Sequence, residues 1–270
     1  MIRFNGGESS AIFSSVGTNQ VLLKAGGAFV DTNGQGALNF TPYIDMPMSG
    51  VGGLTKIGEG TLRISNTQTY TGNTVVQEGT LRIRGNIASS ALTIVESGGT
   101  LTGDGTVGAL RLEGKISPGD FQVGSMITGA ETWTGGGSYD WEIANASGNS
   151  WDKITLNGVL LLDNTVQNRF TIFVKSMGTP SAVGLTADFN AALNYSFVIA
   201  NTQGISGFNT NAFAVNTTDF QNPNSGNWFV SQSGNNLMLN YSSVPVPEPG
   251  VAVLLVGLGA ACVLRRRPRR

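Results

Sequence analysis

The sequence predicts an all-β fold: a right-handed parallel β-helix (solenoid) with a β-rich C-terminal part and a single C-terminal hydrophobic helix. Three observations predict it. The tripeptide Gly-Thr-Leu begins at Gly60, Gly79 and Gly99, so it recurs after 19 and 20 residues, a period within the range of solenoid coils. Gly supplies 38 of 270 residues, about twice its usual share. No long stretch ahead of residue 244 has helical periodicity.

Residues 1–129 are predicted to form the first part of the β-helix. Each Gly-Thr-Leu opens an alternating run in which Leu62, Leu81 and Leu101 share one face and Arg63 and Arg82 share the other. Second strands of the same coils are expected at 74–76 and 91–94. Each coil then has two short strands and two Gly-rich turns, and stacking places the leucines about 4.8 Å apart.

Glycine and low charge have specific roles in this prediction. Ladders of like charge in register repel, so we expect Thr and Asn on the outside of the coils, consistent with only 12% charged residues. A set of glycines is expected to supply the positive-φ corners. They are Gly58, Gly60, Gly72, Gly79, Gly85, Gly98, Gly99, Gly103 and Gly105.

The best copy of the repeat, residues 54–83, resembles the autotransporter-associated β-strand repeat. The matching residues are Leu54, Lys56, Gly58, Gly60, Thr61, Leu62, Tyr70, Gly72, Thr74, Gly79, Thr80 and Leu81. The resemblance implies a secreted, elongated β-helix that presents or spaces rather than catalyses. Weaker coils are expected around 25–40 and 108–116.

Residues 130–243 are predicted to be β-rich as well. All four tryptophans and eight of 13 phenylalanines lie in this half. Strand-like runs recur at 138–143, 153–162, 170–174, 195–200, 228–231 and 237–241. The pattern leaves two alternatives open: broader coils that continue the β-helix, or a cap that covers its last edge.

The last part of the chain predicts a membrane anchor. A Pro-rich linker at 244–249 precedes an apolar run at 250–264 and a basic tail at 265–270, in which the basic residues are Arg265, Arg266, Arg267, Arg269 and Arg270. A helix of 14 apolar residues spans about 21 Å, short of the roughly 30 Å hydrocarbon core. Snorkelling arginines extend its reach, and the positive-inside rule places them in the cytoplasm. We therefore expect one transmembrane segment at 250–264.

This arrangement resembles the PEP-CTERM sorting signal of exported bacterial proteins. The motif consists of Pro247, Glu248 and Pro249, followed by the apolar helix and the arginines. The resemblance implies recognition by exosortase, a membrane-embedded sorting protease that acts near the motif, in an organism that makes extracellular polysaccharide. It implies anchoring in the inner membrane before processing, and then a place at the cell surface or in the extracellular matrix.

The first residues fit this export route poorly. They lack the apolar stretch of seven or more residues that a secretory signal peptide needs. We therefore expect the sequence to begin inside a longer protein or at a misassigned start.

Composition excludes several classes of function. The chain has no histidine and one cysteine, so these residues cannot build a Ser-His-Asp site, a zinc site or a disulfide. Without residues 247–270, eleven basic and sixteen acidic side chains remain, a net charge of about −5, which would repel nucleic acid. We expect no metal, no cofactor and no nucleic-acid partner.

Six carboxylates are candidates for catalytic groups, since a carboxylate pair beside a stacking tryptophan suits glycoside hydrolysis. They are Asp104, Glu113, Asp120, Asp140, Glu142 and Asp152, the last three near Trp141 and Trp151. Single acidic residues at turns are the common background, so we expect no enzyme.

These observations favour an exported, non-enzymatic surface or extracellular-matrix protein with a structural or adhesive role. The alternative is an envelope protein that binds or degrades polysaccharide through the Trp-rich half.

Overall fold

The computed structural model describes residues 2–3, 11–13, 21–32, 42–120 and 122–243, which form an all-β fold with mostly parallel strands. Their only helix is one 3₁₀ turn at Thr210–Ala212. Among these residues, then, no helix has the length and apolarity to cross a bilayer. The predicted linker, hydrophobic helix and Arg-rich tail at 244–270 lie outside the described residues.

The strands are mostly short, and their bounds follow in chain order. The first nine are β1 (Ile2–Arg3), β2 (Ala11–Phe13), β3 (Val21–Leu22), β4 (Ala28–Asp31), β5 (Tyr43–Ile44), β6 (Met48–Ser49), β7 (Leu54–Ile57), β8 (Thr61–Ile64) and β9 (Thr74–Ile83). The next nine are β10 (Asn86–Ile87), β11 (Thr93–Gly103), β12 (Thr106–Val107), β13 (Leu110–Leu112), β14 (Lys115–Pro118), β15 (Ser125–Thr128), β16 (Glu131–Thr134), β17 (Ser138–Asn145) and β18 (Ser150–Trp151). The last nine are β19 (Lys153–Leu156), β20 (Val159–Asp163), β21 (Phe170–Thr179), β22 (Ala182–Val183), β23 (Tyr195–Asn201), β24 (Gly204–Ser206), β25 (Phe213–Asn216), β26 (Asn227–Ser233) and β27 (Asn236–Ser242).

Most strands belong to three parallel ladders. Ladder 1 runs β1-β4-β7-β9-β11-β13-β16-β20-β24. Ladder 2 runs β2-β5-β8-β9-β11-β14-β17-β21-β25. Ladder 3 runs β10-β12-β15-β19-β23. The long strands β9 and β11 contribute one half to ladder 1 and the other half to ladder 2.

The predicted leucine stack is confirmed in ladder 2. Leu62 pairs with Leu81 and Leu81 with Leu101, and all three side chains are fully buried. The column continues through Ile116 and Tyr139. Burying a leucine side chain stabilises the fold by roughly 2 kcal/mol, so this column contributes strongly to the core that joins successive strands.

Ladders 1 and 2 run across residue 129 without interruption. Leu112 pairs with Trp133 in ladder 1, and Ile116 pairs with Tyr139 in ladder 2. Aromatic side chains replace aliphatic ones in the core from this point. The Trp133 ring stacks on Phe170 with centroids 4.5 Å apart.

The C-terminal end of ladder 3 is antiparallel. Strand β27 pairs with β23 on one side and with β26 on the other, both in antiparallel register. Phe197, Val230 and Leu239 from these three strands are buried in the core. The β26–β27 hairpin thereby covers the edge that β23 would otherwise expose.

The sequence predicted two strands in each repeat and missed the strands of ladder 3, of which β10 and β12 are only two residues long. A period of two cannot be recognised in two residues. The expected separate strands at 74–76 and 79–83 are one continuous strand, β9.

The expectation that the nine glycines sit at positive-φ corners was wrong for most of them. Only Gly58, Gly79 and Gly103 have a positive φ. Several of the others are needed because backbones of neighbouring turns approach closely. A Cβ on Gly72 would lie 2.4 Å from the Gly52 carbonyl carbon, and one on Gly85 would lie 2.3 Å from the Asn66 carbonyl oxygen.

Candidate functional site

The repeat residues at 54–83 form a structural site. Leu54, Leu62, Tyr70 and Leu81 are fully buried. The Tyr70 hydroxyl lies 2.6 Å from Thr74 Oγ1. The Thr74 hydroxyl in turn donates to Ser90 Oγ at 3.0 Å. Burial raises the pKa of Tyr70 to about 12. The chain of hydroxyls satisfies polar groups that would be costly to bury alone.

The other repeat positions lie on strands and turns. Thr61 and Thr80 pair side by side in ladder 2, half-buried on the outward face. Gly58 and Gly79 occupy positive-φ turns, and Gly60 lies between β7 and β8, just before β8 begins. The repeat motif thus specifies where the chain turns and which residues stack.

Lys56 is the chemically unusual member of the repeat, because its side chain is fully buried. Its Nζ donates to the carbonyl oxygens of Ile57 at 3.1 Å, Gly58 at 2.5 Å and Glu78 at 2.9 Å. Burial lowers its pKa to about 8, although the charges of Asp31 and Glu78 oppose the shift. Lys56 therefore links the turn after β7, through Gly58, to strand β9, through Glu78.

Asp140 has cationic partners. Lys115 Nζ and Lys175 Nζ lie 3.1 Å and 2.7 Å from Asp140 Oδ2, and the carboxylate is nearly buried. The two lysines come from the strands on either side of β17 in ladder 2. This arrangement neutralises the carboxylate and pairs three adjacent strands.

Glu142 and Asp152 meet through the backbone. Asp152 Oδ2 accepts from the Glu142 amide at 3.1 Å and Oδ1 accepts from the Gly124 amide at 2.8 Å. Asp152 is fully buried, and burial, reinforced by the charge of Glu142, raises its pKa well above the usual value. Burial likewise raises the pKa of Glu142. A fully buried Asp152 has no access to a polysaccharide.

The three remaining carboxylates lie apart from this group. Asp120 accepts ion pairs from Arg82 at 3.3 Å and Arg84 at 3.0 Å. Glu113 pairs with Arg111 at 2.8 Å, and Asp104 is exposed in the turn between β11 and β12.

Asp120 also explains an exception to the uncharged outer face. Arg63 and Arg82 pair directly across strands β8 and β9, although stacked like charges repel. The carboxylate of Asp120 compensates Arg82, and Arg63 lies over the ring of Tyr43, 4.8 Å from its centroid.

The alternative interpretation, in which tryptophans of this half bind polysaccharide, does not fit Trp141. Its ring is fully buried, with Nε1 donating to the Asp152 carbonyl oxygen at 2.9 Å. Trp151 is half-buried and donates from Nε1 to the Val198 carbonyl oxygen at 3.0 Å. Trp141 packs into the core because it shares the inward face of β17 with Tyr139 and Ile143, which are also fully buried.

Glu131 was missed in the sequence. It occupies the ladder 1 position between Leu110 and Leu160, and only 2% of its surface is exposed. Trp133 Nε1 donates to its Oε2. Burial raises the pKa of its carboxyl to about 7, and the hydrogen bond from Trp133 partly offsets this rise.

In the part of the chain that the structure describes, no three acidic or Cys side chains are grouped so as to hold a metal ion. Pro247, Glu248, Pro249 and the five C-terminal arginines lie outside the described residues.

Comparison with known families agrees with both sequence resemblances. Residues 54–83 match the family model of the passenger-associated-transport-repeat, the autotransporter-associated repeat predicted above. Residues 245–270 match the PEP-CTERM protein-sorting motif. This motif implies export, sorting by exosortase and a C-terminal tail that anchors the chain in a membrane before processing.

A curated relative shares part of the chain. The extracellular serine protease of Serratia marcescens is 34% identical over 122 residues, which make up 44% of this chain and 11% of the protease. The chain thus spans about a tenth of the length of this relative.

Proposed function

We propose that the protein is a structural or adhesive β-solenoid, a right-handed parallel β-helix, at the cell surface or in an extracellular polysaccharide matrix. In this proposal exosortase cuts near Pro247-Glu248-Pro249. The apolar segment 250–264 holds the chain in the inner membrane until then, with the arginines in the cytoplasm.

One observation carries the fold part of this proposal. Leu62, Leu81, Leu101, Ile116 and Tyr139 occupy one continuous column of parallel strands. The strands of ladder 1 recur after about 20 residues from Leu54 to Glu131 and after longer intervals beyond it. Parallel strands stacked in this way are the arrangement that a solenoid requires. Such a fold presents repeated surfaces and needs no catalytic group.

The carboxylates support a non-enzymatic role. Asp120 and Asp140 each contact two basic side chains, and Asp152 is buried with backbone donors. A glycosidase needs two carboxyl groups that flank an accessible sugar. The protease activity named for the Serratia relative belongs to that protein, and these 270 residues contain no histidine for a Ser-His-Asp triad.

Export by exosortase can be tested with Glu248→Ala. The chain is produced with a secretory signal peptide in a bacterium that has exosortase. Wild type is expected at the cell surface, shortened by its tail, whereas Glu248→Ala is expected at full length in the inner membrane. The measurements are cell fractionation and the intact mass of the protein.

The matched control is Glu59→Ala, because Glu59 is an exposed glutamate in the turn before β8 and should be sorted like wild type. A Glu248→Ala chain that loses its tail and reaches the surface as efficiently as wild type would contradict the sorting proposal.

A further inference from the structure

A groove of about 350 Å³ lies on the antiparallel sheet β23–β27–β26. Asn194, Ser196, Phe229, Asn240 and Ser242 are among the residues that line it. Ser196 pairs with Asn240 across one strand pair and Asn240 with Phe229 across the next. The three side chains therefore stand in one row across the sheet, at strand spacings of about 4.8 Å.

The groove lacks charge. None of the residues that line it is ionised at neutral pH, and Asp219 is the only Asp, Glu, Lys or Arg from residue 189 to residue 243. A phosphate, carboxylate or ammonium ligand would find no ion-pair partner among these residues. The chemistry instead suits a ligand that is polar and neutral.

Hydrogen bonds hold the amide groups in place. Asn240 Oδ1 accepts from Ser196 Oγ at 2.8 Å, and its Nδ2 donates to Ser231 Oγ at 2.8 Å and to the Phe229 carbonyl oxygen at 3.3 Å, which engages both of its N–H groups. Asn194 is exposed, and its Oδ1 accepts from the Ser243 amide at 2.8 Å. Among the described residues its Nδ2 has no hydrogen-bond acceptor, so Asn194 can offer two N–H donors to a ligand.

Phe229 supplies an aromatic surface beside these amides. Phe229 is 39% exposed. Covering its ring with a ligand would therefore be favourable, because apolar surface would be removed from water. Behind the sheet the rings of Tyr195 and Phe197 stack with centroids 5.8 Å apart, and Trp228 packs against Tyr241 at 5.1 Å.

We propose that this groove binds a neutral polysaccharide chain. The apolar C–H face of a pyranose ring packs on Phe229, while the Nδ2 of Asn194 donates to its hydroxyl groups and the second lone pair of Asn240 Oδ1 accepts from one of them. The inference deepens the adhesive role proposed above and rests on it for the setting at the cell surface. It replaces the tryptophans of the β17–β18 region with Phe229 as the stacking side chain.

The test uses the full chain, purified in mild detergent. Binding of cellohexaose, laminarihexaose and mannohexaose is measured by calorimetry and by saturation-transfer NMR. At least one of these neutral sugars is expected to bind. Phe229→Ala and Asn194→Ala should each weaken that binding at least tenfold, whereas Phe229→Trp should retain it because an aromatic face remains.

Val183→Ala is the matched control, because Val183 is an exposed apolar side chain on a different strand. It should bind as wild type does, and circular dichroism should show that every variant is folded. The proposal is overturned if no neutral hexasaccharide binds, or if Phe229→Ala leaves the affinity unchanged. It is also overturned if salt-sensitive binding of an oligogalacturonate exceeds that of the neutral sugars, or if Phe229 mediates dimerisation of the chain instead.

Failure here and failure of the proposed function can be told apart. A chain that exosortase sorts to the surface but that binds no sugar disproves only the groove. Conversely, a chain that binds sugar through Phe229 but is not sorted disproves only the export route.

Discussion

Glu131 and Lys56 are ionisable side chains at positions where the strands bury apolar ones. In ladder 1, Glu131 lies between Leu110 and Leu160, and Lys56 lies between Val30 and Val76. The repeat resemblance identified Lys56 as a motif residue, but its spacing could not indicate burial. Two of the carbonyl acceptors of Lys56, Ile57 and Gly58, are its neighbours in sequence, and only the third, Glu78, is brought to it by the fold.

Glu131 leads to a prediction about pH and stability. Its pKa is raised from 4.5 to about 7 in the fold, so between these values the folded chain holds a proton that the unfolded chain releases. The free energy of unfolding therefore falls as pH rises through this range, by about 2–3 kcal/mol for this group. Glu131→Gln should remove that part of the fall, as measured by urea unfolding from pH 4.5 to 7.5.

The exposed Glu59 provides the comparison. Glu59→Gln should leave the pH dependence as it is in wild type. If Glu131→Gln also follows the wild-type curve throughout, the carboxyl is not protonated in the folded chain and the expectation is wrong.

The carboxylates at 140–152 show why the ion-pair partners of a side chain could not be predicted from the sequence. The i and i+2 spacing of Asp140 and Glu142 placed them on one strand face. The structure adds Lys115 and Lys175, which lie 25 and 35 residues from Asp140 in the chain. Ion pairs between strands depend on register, which no local pattern contains.

At the scale of elements, glycines are required for two different reasons. Gly58 and Gly79 are required because the turns place them at positive φ, which favours glycine. Gly72 and Gly85 have no positive φ, and their necessity comes from the backbone of the preceding turn of the chain. The repeat period indicates that turns are stacked but does not tell where they touch.

Gly72→Ala tests this close approach. The new Cβ would lie 2.4 Å from both the Gly52 carbonyl carbon and the Gly53 amide nitrogen, so two backbone segments must separate. We expect the variant to lower the free energy of unfolding by about 3 kcal/mol, as measured by urea denaturation.

Gly26→Ala is the matched control, since a Cβ there meets nothing within 4 Å. It should change stability by less than about 0.5 kcal/mol. Equal losses of stability in the two variants would contradict the close approach at Gly72, because the effect of Gly→Ala on the entropy of the unfolded chain is stabilising.

At the scale of the whole molecule, the proposed solenoid makes a geometric prediction. Thr61, Thr80 and Thr100 pair in register along ladder 2, so neighbours are about 4.8 Å apart and the outer two about 9.6 Å. A disulfide needs a Cα–Cα distance below about 6.8 Å. In a Cys262→Ser background, the cysteine pair 61/80 should therefore oxidise readily and the pair 61/100 should not.

Oxidation can be followed by the gel mobility and mass of the intact chain. The pair 80/100 is the positive control, because Thr80 and Thr100 also pair directly. If 61/100 forms a disulfide as fast as 61/80, the strands are not stacked in this order.

The sequence by itself determined the features that repeat or that occupy neighbouring residues. These include the all-β character, the strand at each Gly-Thr-Leu, the inward leucines and the two family resemblances, because each depends on spacing along the chain. Only the tertiary structure decided the third ladder, the hydrogen-bond partner of Trp141, the partners of Asp140 and the groove beside Phe229. Each of these depends on register between strands that are far apart in sequence, and the backbone fixes that register only when the whole core is assembled.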